Sequence, residues 1–257
     1  MTADRVGAPQ VLVLDFDGVL CDSVDECLQI AWFAHTGAPA RAFAEQGIAA
    51  VPPVVAARFR RARPFMRQLA HFLVPLLDAP ATRDAAAFDA YFARLPQEQT
   101  AAFAAAATAY RSAVRRAYSE RWLTAHRVHA RIAAMAHDTY IATARDDASV
   151  TAILGAHDVQ VTPARVFGSL HEKTAALASI AALESARAQD VWLIDDSVQN
   201  CLAAHAAGFG ACWASWGYRV PGDPAIACSA GIPAVTPDDL VGLLSHVGHA
   251  GRGRRDD

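Results

Sequence analysis

Lysine is almost missing from this chain. Among its 257 residues every basic side chain, histidines aside, is an arginine, with the single exception of Lys173. Long apolar runs are missing too. None approaches the ~20 residues that span a bilayer, so no membrane association is expected. The opening residues "MTADRVGAPQ" lack the basic start and apolar middle of a secretory signal, which implies a cytoplasmic protein. Strong charge of either sign is absent. A formal net charge of −3 gives no reason to expect nucleic acid as a partner. The five cysteines (Cys21, Cys27, Cys201, Cys212, Cys228) are odd in number and match neither a disulfide framework nor a zinc site. They are expected to be small, reduced core residues. Codon bias explains the scarcity of lysine. It does not explain the one lysine that remains.

What is present is an alternation of short β-rich runs with helical patterns, in two separated blocks. The first run, "VLVLD" (11–15), stands alone. After a long gap come "TYIATA" (139–144), "RVFGS" (165–169), "VWLIDD" (191–196) and "GACWAS" (210–215). Helical stretches lie between them at about 148–156, 172–184 and 197–207, the last stopped by Gly208 in a left-handed conformation. "AHRVHARIAAMAH" is expected to be a helix leading into the second strand. This order predicts an α/β fold, a Rossmann-like, doubly wound parallel sheet. Between the blocks, Ala-rich segments such as "TAAFAAAATAYRSAVRRAYSERW" carry apolar residues at helical spacing and no strand pattern. The expected organisation is an α/β core of residues 1–22 and 125–250, an all-helical insertion of 23–124, and a flexible tail of 251–257.

Carboxylates gather where strands end. "VLVLDFDGVLCDS" runs from four apolar residues into Asp15 and Asp17, with Gly18 and Asp22 following. Ionised carboxylates are costly to bury without compensation. In a parallel sheet the carboxyl ends converge on one edge, where ligands bind. The same edge is expected to receive Thr143, Lys173, Asp195 and Asp196. Acids clustered in this way suit a hard cation such as Mg²⁺, which takes oxygen ligands and keeps several waters. A carboxylate beside it can act as a nucleophile toward phosphorus, and a second acid can transfer the proton. Thr143 and Lys173 are placed to bind phosphoryl oxygens.

On these residues the chain resembles the haloacid dehalogenase superfamily, in the branch with a helical cap inserted after the first strand. Its four motifs are matched in order by "DFDGV", by Thr143 in "IATAR", by Lys173 in "HEKTAAL", and by "IDDSVQNCLAAHAAG". The match covers both core blocks, roughly half the chain. The resemblance implies a hydrolase, a phosphatase using Mg²⁺ on a small phosphorylated metabolite. It further implies Asp15 as nucleophile, Asp17 as general acid/base, and Asp15, Asp17, Asp195 and Asp196 around the metal. Thr143, Ala144, Arg145 and Lys173 are the expected substrate-binding set, with a surface salt bridge as the alternative for Arg145.

One departure concerns the last motif. Aligned through "AAHAAG", Asp195 stands where many relatives have glycine, Asp196 at the metal-ligand position, and Asn200 at a later acid. Asp196 is therefore expected to ligate the metal, and Asp195 to orient Lys173 or a metal-bound water.

Rival chemistries of the same fold fit less well. A dehalogenase needs neither metal nor the second acid, and a phosphonate-cleaving relative needs a cap lysine that this chain lacks. A phosphomutase uses the same core residues and stays open, as does a regulatory protein that keeps the fold without catalysis. Arg58, Arg60, Arg61 and Arg63 in "ARFRRARPF" are read as a solvated helix face, with a cap arginine gripping an anionic substrate as the alternative. The pairs His126/His129 and His246/His249 have a loose metal-like spacing without further ligands nearby.

Overall fold

The computed structural model describes residues 9–77, 84–134 and 136–243. The chain forms two compact units: Met1–Asp22 together with Val128–Asp257, and Ser23–Arg127. The strands are β1 (Val11–Leu14), β2 (Cys21–Asp22), β3 (Arg127–Val128), β4 (Tyr140–Ala142), β5 (Val166–Phe167), β6 (Val191–Asp195), β7 (Gly210–Ala214) and β8 (Ala234–Val235). The helices of the segment between β2 and β3 are α1 (Val24–Thr36), α2 (Arg41–Glu45), α3 (Pro53–Ala62), α4 (Ala85–Phe92), α5 (Gln97–Ala117) and α6 (Ser119–Leu123). Those after β3 are α7 (Ala130–Ala133), α8 (Asp147–Gly155), α9 (Thr174–Leu183), α10 (Val198–Ala206) and α11 (Asp223–Ser229). Among the described residues no helix is long and apolar enough to cross a membrane. The expected tail at 251–257 and the pair His246/His249 lie outside the described residues.

The first unit is a six-stranded sheet in the order β5-β4-β1-β6-β7-β8, and every pairing in it is parallel. A parallel strand covered on both faces needs an unbroken apolar run. "VLVL" in β1 and "VWLI" in β6 supply one, and all of these residues are buried. Their register pairs Val11 with Val191 and Leu14 with Ile194, so both strands run out at the same level. Val13, Leu193, Leu177, Ile180 and Trp213 belong to one buried cluster joining the sheet to its helices. The chain moves outward from β1 through β4 to β5, then returns across β1 to β6, β7 and β8. That reversal opens a crevice between neighbouring strand ends, the usual ligand position in such sheets.

Two details differ from expectation. The helix expected before β4 shrinks to the single turn α7, followed by a 3₁₀ turn at Ala136–Asp138. Ala-rich composition favours helix only weakly, and here the tertiary setting prevails: the N–H of His129 bonds to the carbonyl of Leu20 at 2.9 Å. Strands β2, β3 and β8 were not foreseen, since two residues carry no readable period. Gly208 does stop α10 in the left-handed region, with φ +84°.

Apart from Arg127 at its end, the regular structure of the second unit's described residues is helical. Helix α5 buries Phe103, Ala107, Tyr110 and Val114, a stripe at alternating four- and three-residue steps. Its interior also holds a polar knot. Glu26 on α1 is fully buried and accepts hydrogen bonds from Arg111 Nε at 2.8 Å and Trp122 Nε1 at 3.0 Å. His126 is buried beside it and bonds the Trp122 carbonyl through Nδ1 at 2.9 Å. A buried carboxylate with this many partners is satisfied rather than stranded. Of the basic cluster, Arg60 and Arg61 are exposed, whereas Arg63 is buried and donates to the Met66 carbonyl at 3.2 Å. Arg60 pairs with Asp25 at 2.7 Å.

Candidate active site

The site grows out of the end of β1. The Asp15 N–H bonds to Ile194 O of the neighbouring strand at 2.9 Å, so the strand pairing itself sets the height of this residue. The Phe16 N–H returns to Asp15 Oδ1 at 2.7 Å. The chain then closes a tight loop: the N–H groups of Leu20 and Cys21 both reach Phe16 O, and Gly18 N–H reaches Cys21 O at 2.8 Å. Gly18 has φ +101°, and a Cβ there would lie 2.0 Å from Asp196 Oδ2. Glycine is therefore required twice over, by backbone angle and by space.

Asp195 and Asp196 leave β6 next to Asp15. One carboxylate oxygen from each of the three lies within 4.8 Å of the others. Lys173, just ahead of α9, reaches into this group. Its Nζ is 2.7 Å from Asp15 Oδ1 and 2.5 Å from Asp195 Oδ2. Asp195 is fully buried and has two partners besides Lys173. Its Oδ1 accepts from Ser197 N–H at 2.8 Å, and its Oδ2 also accepts from Asn200 Nδ2 at 3.0 Å.

One ammonium reaches two of the three converging carboxylates, in a buried setting. Burial, above all, pushes the Asp15 carboxyl up to about 7; Asp195 and Asp17 add to the rise, while Lys173 opposes it. For Lys173 burial works downward, but the attraction of Asp15 and Asp195 outweighs it and holds the ammonium above its usual range. The lysine thus stays charged while the acids compete for too little positive charge. Three hard oxygen donors this close, short of one cation, fit an Mg²⁺ ion with waters completing its shell.

Asp196 is held by a loop the sequence reading did not single out. Tyr218 N–H donates to Asp196 Oδ2 at 2.5 Å, and Tyr218 Oη donates to Asp22 Oδ1 at 3.0 Å. Trp213 Nε1 donates to the Asp196 carbonyl at 2.8 Å, and Trp216 Nε1 to Val19 O at 3.2 Å. A Cβ on Gly217 would fall 2.3 Å from Asp196 Cβ, so the loop lies flat against the acid. The signal was available: "SWGYR" follows β7 and so issues from the same sheet edge as the acids.

The second motif is laced into the backbone. Thr143 is buried, and its Oγ1 accepts from Arg145 N–H at 3.1 Å. Its own N–H bonds Phe167 O at 3.0 Å, and its carbonyl accepts from Leu170 N–H at 3.1 Å. Ala144 is exposed on the loop. Arg145 turns inward, donating from Nε to both Asp17 oxygens at 3.2 Å and from a terminal nitrogen to Oδ1 at 3.0 Å. Asp15, Asp195, Asp196 and Lys173 are thus brought together. The Asp17 carboxylate is not among the three that converge, and Arg145 faces Asp17. His126 and His129, of the paired histidines, take no part: His126 is bonded within the helical unit, and burial lowers His129.

No family model matches the sequence, and no curated protein does. Solved structures, however, share its fold. A predicted phosphoglycolate phosphatase from Haemophilus somnus matches with a TM-score of 0.58 at 14% identity, over 94% of this chain and 99% of that one. A haloacid dehalogenase-like family hydrolase from Streptococcus pneumoniae gives 0.56 at 13% identity, over 93% and 98%. A predicted phosphatase from Clostridium acetobutylicum gives 0.55 at 12% identity, over 93% and 100%. At such identities the likeness is one of fold.

Proposed function

We propose, from the premise that the chain has the haloacid dehalogenase-like hydrolase fold, that it is a phosphatase. In this reading it uses Mg²⁺ and acts on a small phosphorylated metabolite in the cytoplasm. The observation that carries the reading is the Asp15 carboxylate, set at the strand-order reversal with Lys173 at 2.7 Å and two further acids beside it. A generic acidic patch would not hold a buried lysine between two of its members.

Each residue has a role that follows from its surroundings. Asp15 attacks phosphorus and carries the phosphoryl group, dividing hydrolysis into two easier displacements. Lys173 neutralises the approach of two anions and, with Thr143, holds phosphoryl oxygens. Asp17 gives a proton to the leaving oxygen and later takes one from water. Asp15, Asp195 and Asp196 would hold Mg²⁺, with Asp195 also orienting Lys173. When bound, the ion would supply positive charge against the transferring group. The helical insertion would serve in substrate selection, as a cap does.

The test is hydrolysis of p-nitrophenyl phosphate and of a panel of sugar phosphates, nucleotides and phosphorylated acids, with Mg²⁺ and with chelator. Turnover that disappears with chelator and returns with Mg²⁺ is expected. Full turnover in chelator would refute the metal assignment, and no hydrolysis of any panel member would refute the phosphatase reading.

A further inference from the structure

The place of Arg145 in its loop suits either a substrate-binding residue or a surface salt bridge, but its surroundings point to another task. Its side chain is 1% exposed, whereas that of Asp17 is 16% exposed. The backbone is held on both sides: the N–H bonds Thr143 Oγ1, and the carbonyl accepts from Ser169 N–H at 2.9 Å. Gly168 lets the neighbouring loop approach so closely that a Cβ there would be 2.8 Å from that carbonyl. The guanidinium lies 5.8 Å from the centre of the Phe16 ring, on the residue between the two acids. An arginine fixed this way does not sweep a pocket for ligands.

We propose that Arg145 is a positioning residue for Asp17. The planar fork meets both oxygens of one carboxylate, a geometry that fixes orientation as well as distance. Asp17 follows Asp15 by two residues on a loop tightened around Gly18, which brings it to the same strand end. Arg145 decides which way its carboxylate points, and turns it away from the three acids that converge. Asp17 is thereby kept for the leaving group, and Asp15, Asp195 and Asp196 for the cation. The proposal rests on the phosphatase reading and assigns that site a residue acting through another residue.

The test is a double-mutant cycle between Arg145→Met and Asp17→Asn, read as kcat and KM on phenyl phosphate with saturating Mg²⁺. General acid–base groups contribute about 10²–10⁴-fold, so Arg145→Met should lower kcat by at least about tenfold. KM should stay within about twofold, because no substrate contact is lost. In the Asp17→Asn background the same substitution should change kcat by less than about threefold, since the group it positions is already gone. Arg145→Lys, which keeps the charge and loses the fork, should rescue poorly. It also serves as the test variant if Arg145→Met does not fold. A raised KM with kcat intact would make Arg145 a substrate ligand and overturn the proposal. Losses that multiply fully in the double variant would overturn it equally. A native enzyme inactive toward every phosphate ester would overturn the phosphatase reading and this inference with it.

Discussion

Replacing Lys173 by methionine removes the only ammonium in the carboxylate cluster, and its cost can be worked from the contacts. The nitrogen lies 2.7 Å from Asp15 Oδ1 and 2.5 Å from Asp195 Oδ2, and the three side chains are 10%, 11% and 0% exposed. At an effective dielectric near 20, one such contact is a gross attraction of about 6 kcal/mol. Desolvation of all three groups offsets much of it. Stranding the partners of a buried pair costs about 3–5 kcal/mol net, against a total stability of roughly 5–15 kcal/mol.

Lys173→Met should therefore destabilise the metal-free protein by a few kcal/mol as well as abolish turnover. The loss should depend on pH. Burial pushes Asp15 up to about 7 in the folded chain, against an ordinary carboxyl value of 3.8. A carboxyl raised by folding contributes stability below its unfolded pKa and loses that contribution as pH rises through the folded value. Without Lys173 the folded value rises further, because a group that lowered it is gone. The variant's deficit should thus be larger at pH 8 than at pH 5, and Mg²⁺ should recover part of it. Urea unfolding in chelator at both pH values measures this. An unchanged midpoint at pH 8 would refute the reasoning, because it would mean that the three groups are not electrostatically coupled.

Two further predictions concern other residues. Asp196→Asn should weaken Mg²⁺ binding by more than about tenfold in a calorimetric titration, and Asp195→Asn by less, since Asp195 is engaged by Lys173, Ser197 and Asn200. The reverse order would exchange the two roles. In the helical unit, burial above all lowers His71 to about 4, with Arg67 acting in the same direction and Asp89 against it. Gln68, Phe88 and Phe92 also face the ring. The unfolded chain takes up this proton near pH 6.5 and the folded one near 4, so stability should fall as pH drops through that window. The loss is on the order of 3 kcal/mol. His71→Leu should flatten the pH dependence of the urea midpoint between pH 7 and 4.5; an unchanged slope would contradict the assignment.

How far the site could be read beforehand depended on the distance over which each feature is determined. Strands β1 and β6 were legible because continuous apolar runs ending in acids have few other uses in a soluble fold. Lys173 was legible through its uniqueness in an arginine-only chain. The contact between Arg145 and Asp17 spans 128 residues, and no local pattern says which way a guanidinium turns. The Tyr218 loop was missed for a different reason. It acts through a backbone N–H, which every residue but proline carries, so side-chain chemistry gives no sign of it. Glu26 was equally hidden: its partners Arg111, Trp122 and His126 come from distant turns, and a lone acid on a helix reads as a surface residue.

The central claim is that Asp15 itself carries the phosphoryl group. The most direct measurement is rapid acid quench of the enzyme turning over a ³²P-labelled ester, followed by digestion and mass spectrometry of the modified peptide. A phosphoryl adduct on the peptide containing Asp15 is expected, labile to hydroxylamine as an acyl phosphate is, and absent from Asp15→Asn. Turnover with no adduct at any quench time, together with inversion rather than net retention of configuration at an isotopically chiral phosphoryl group, would contradict it.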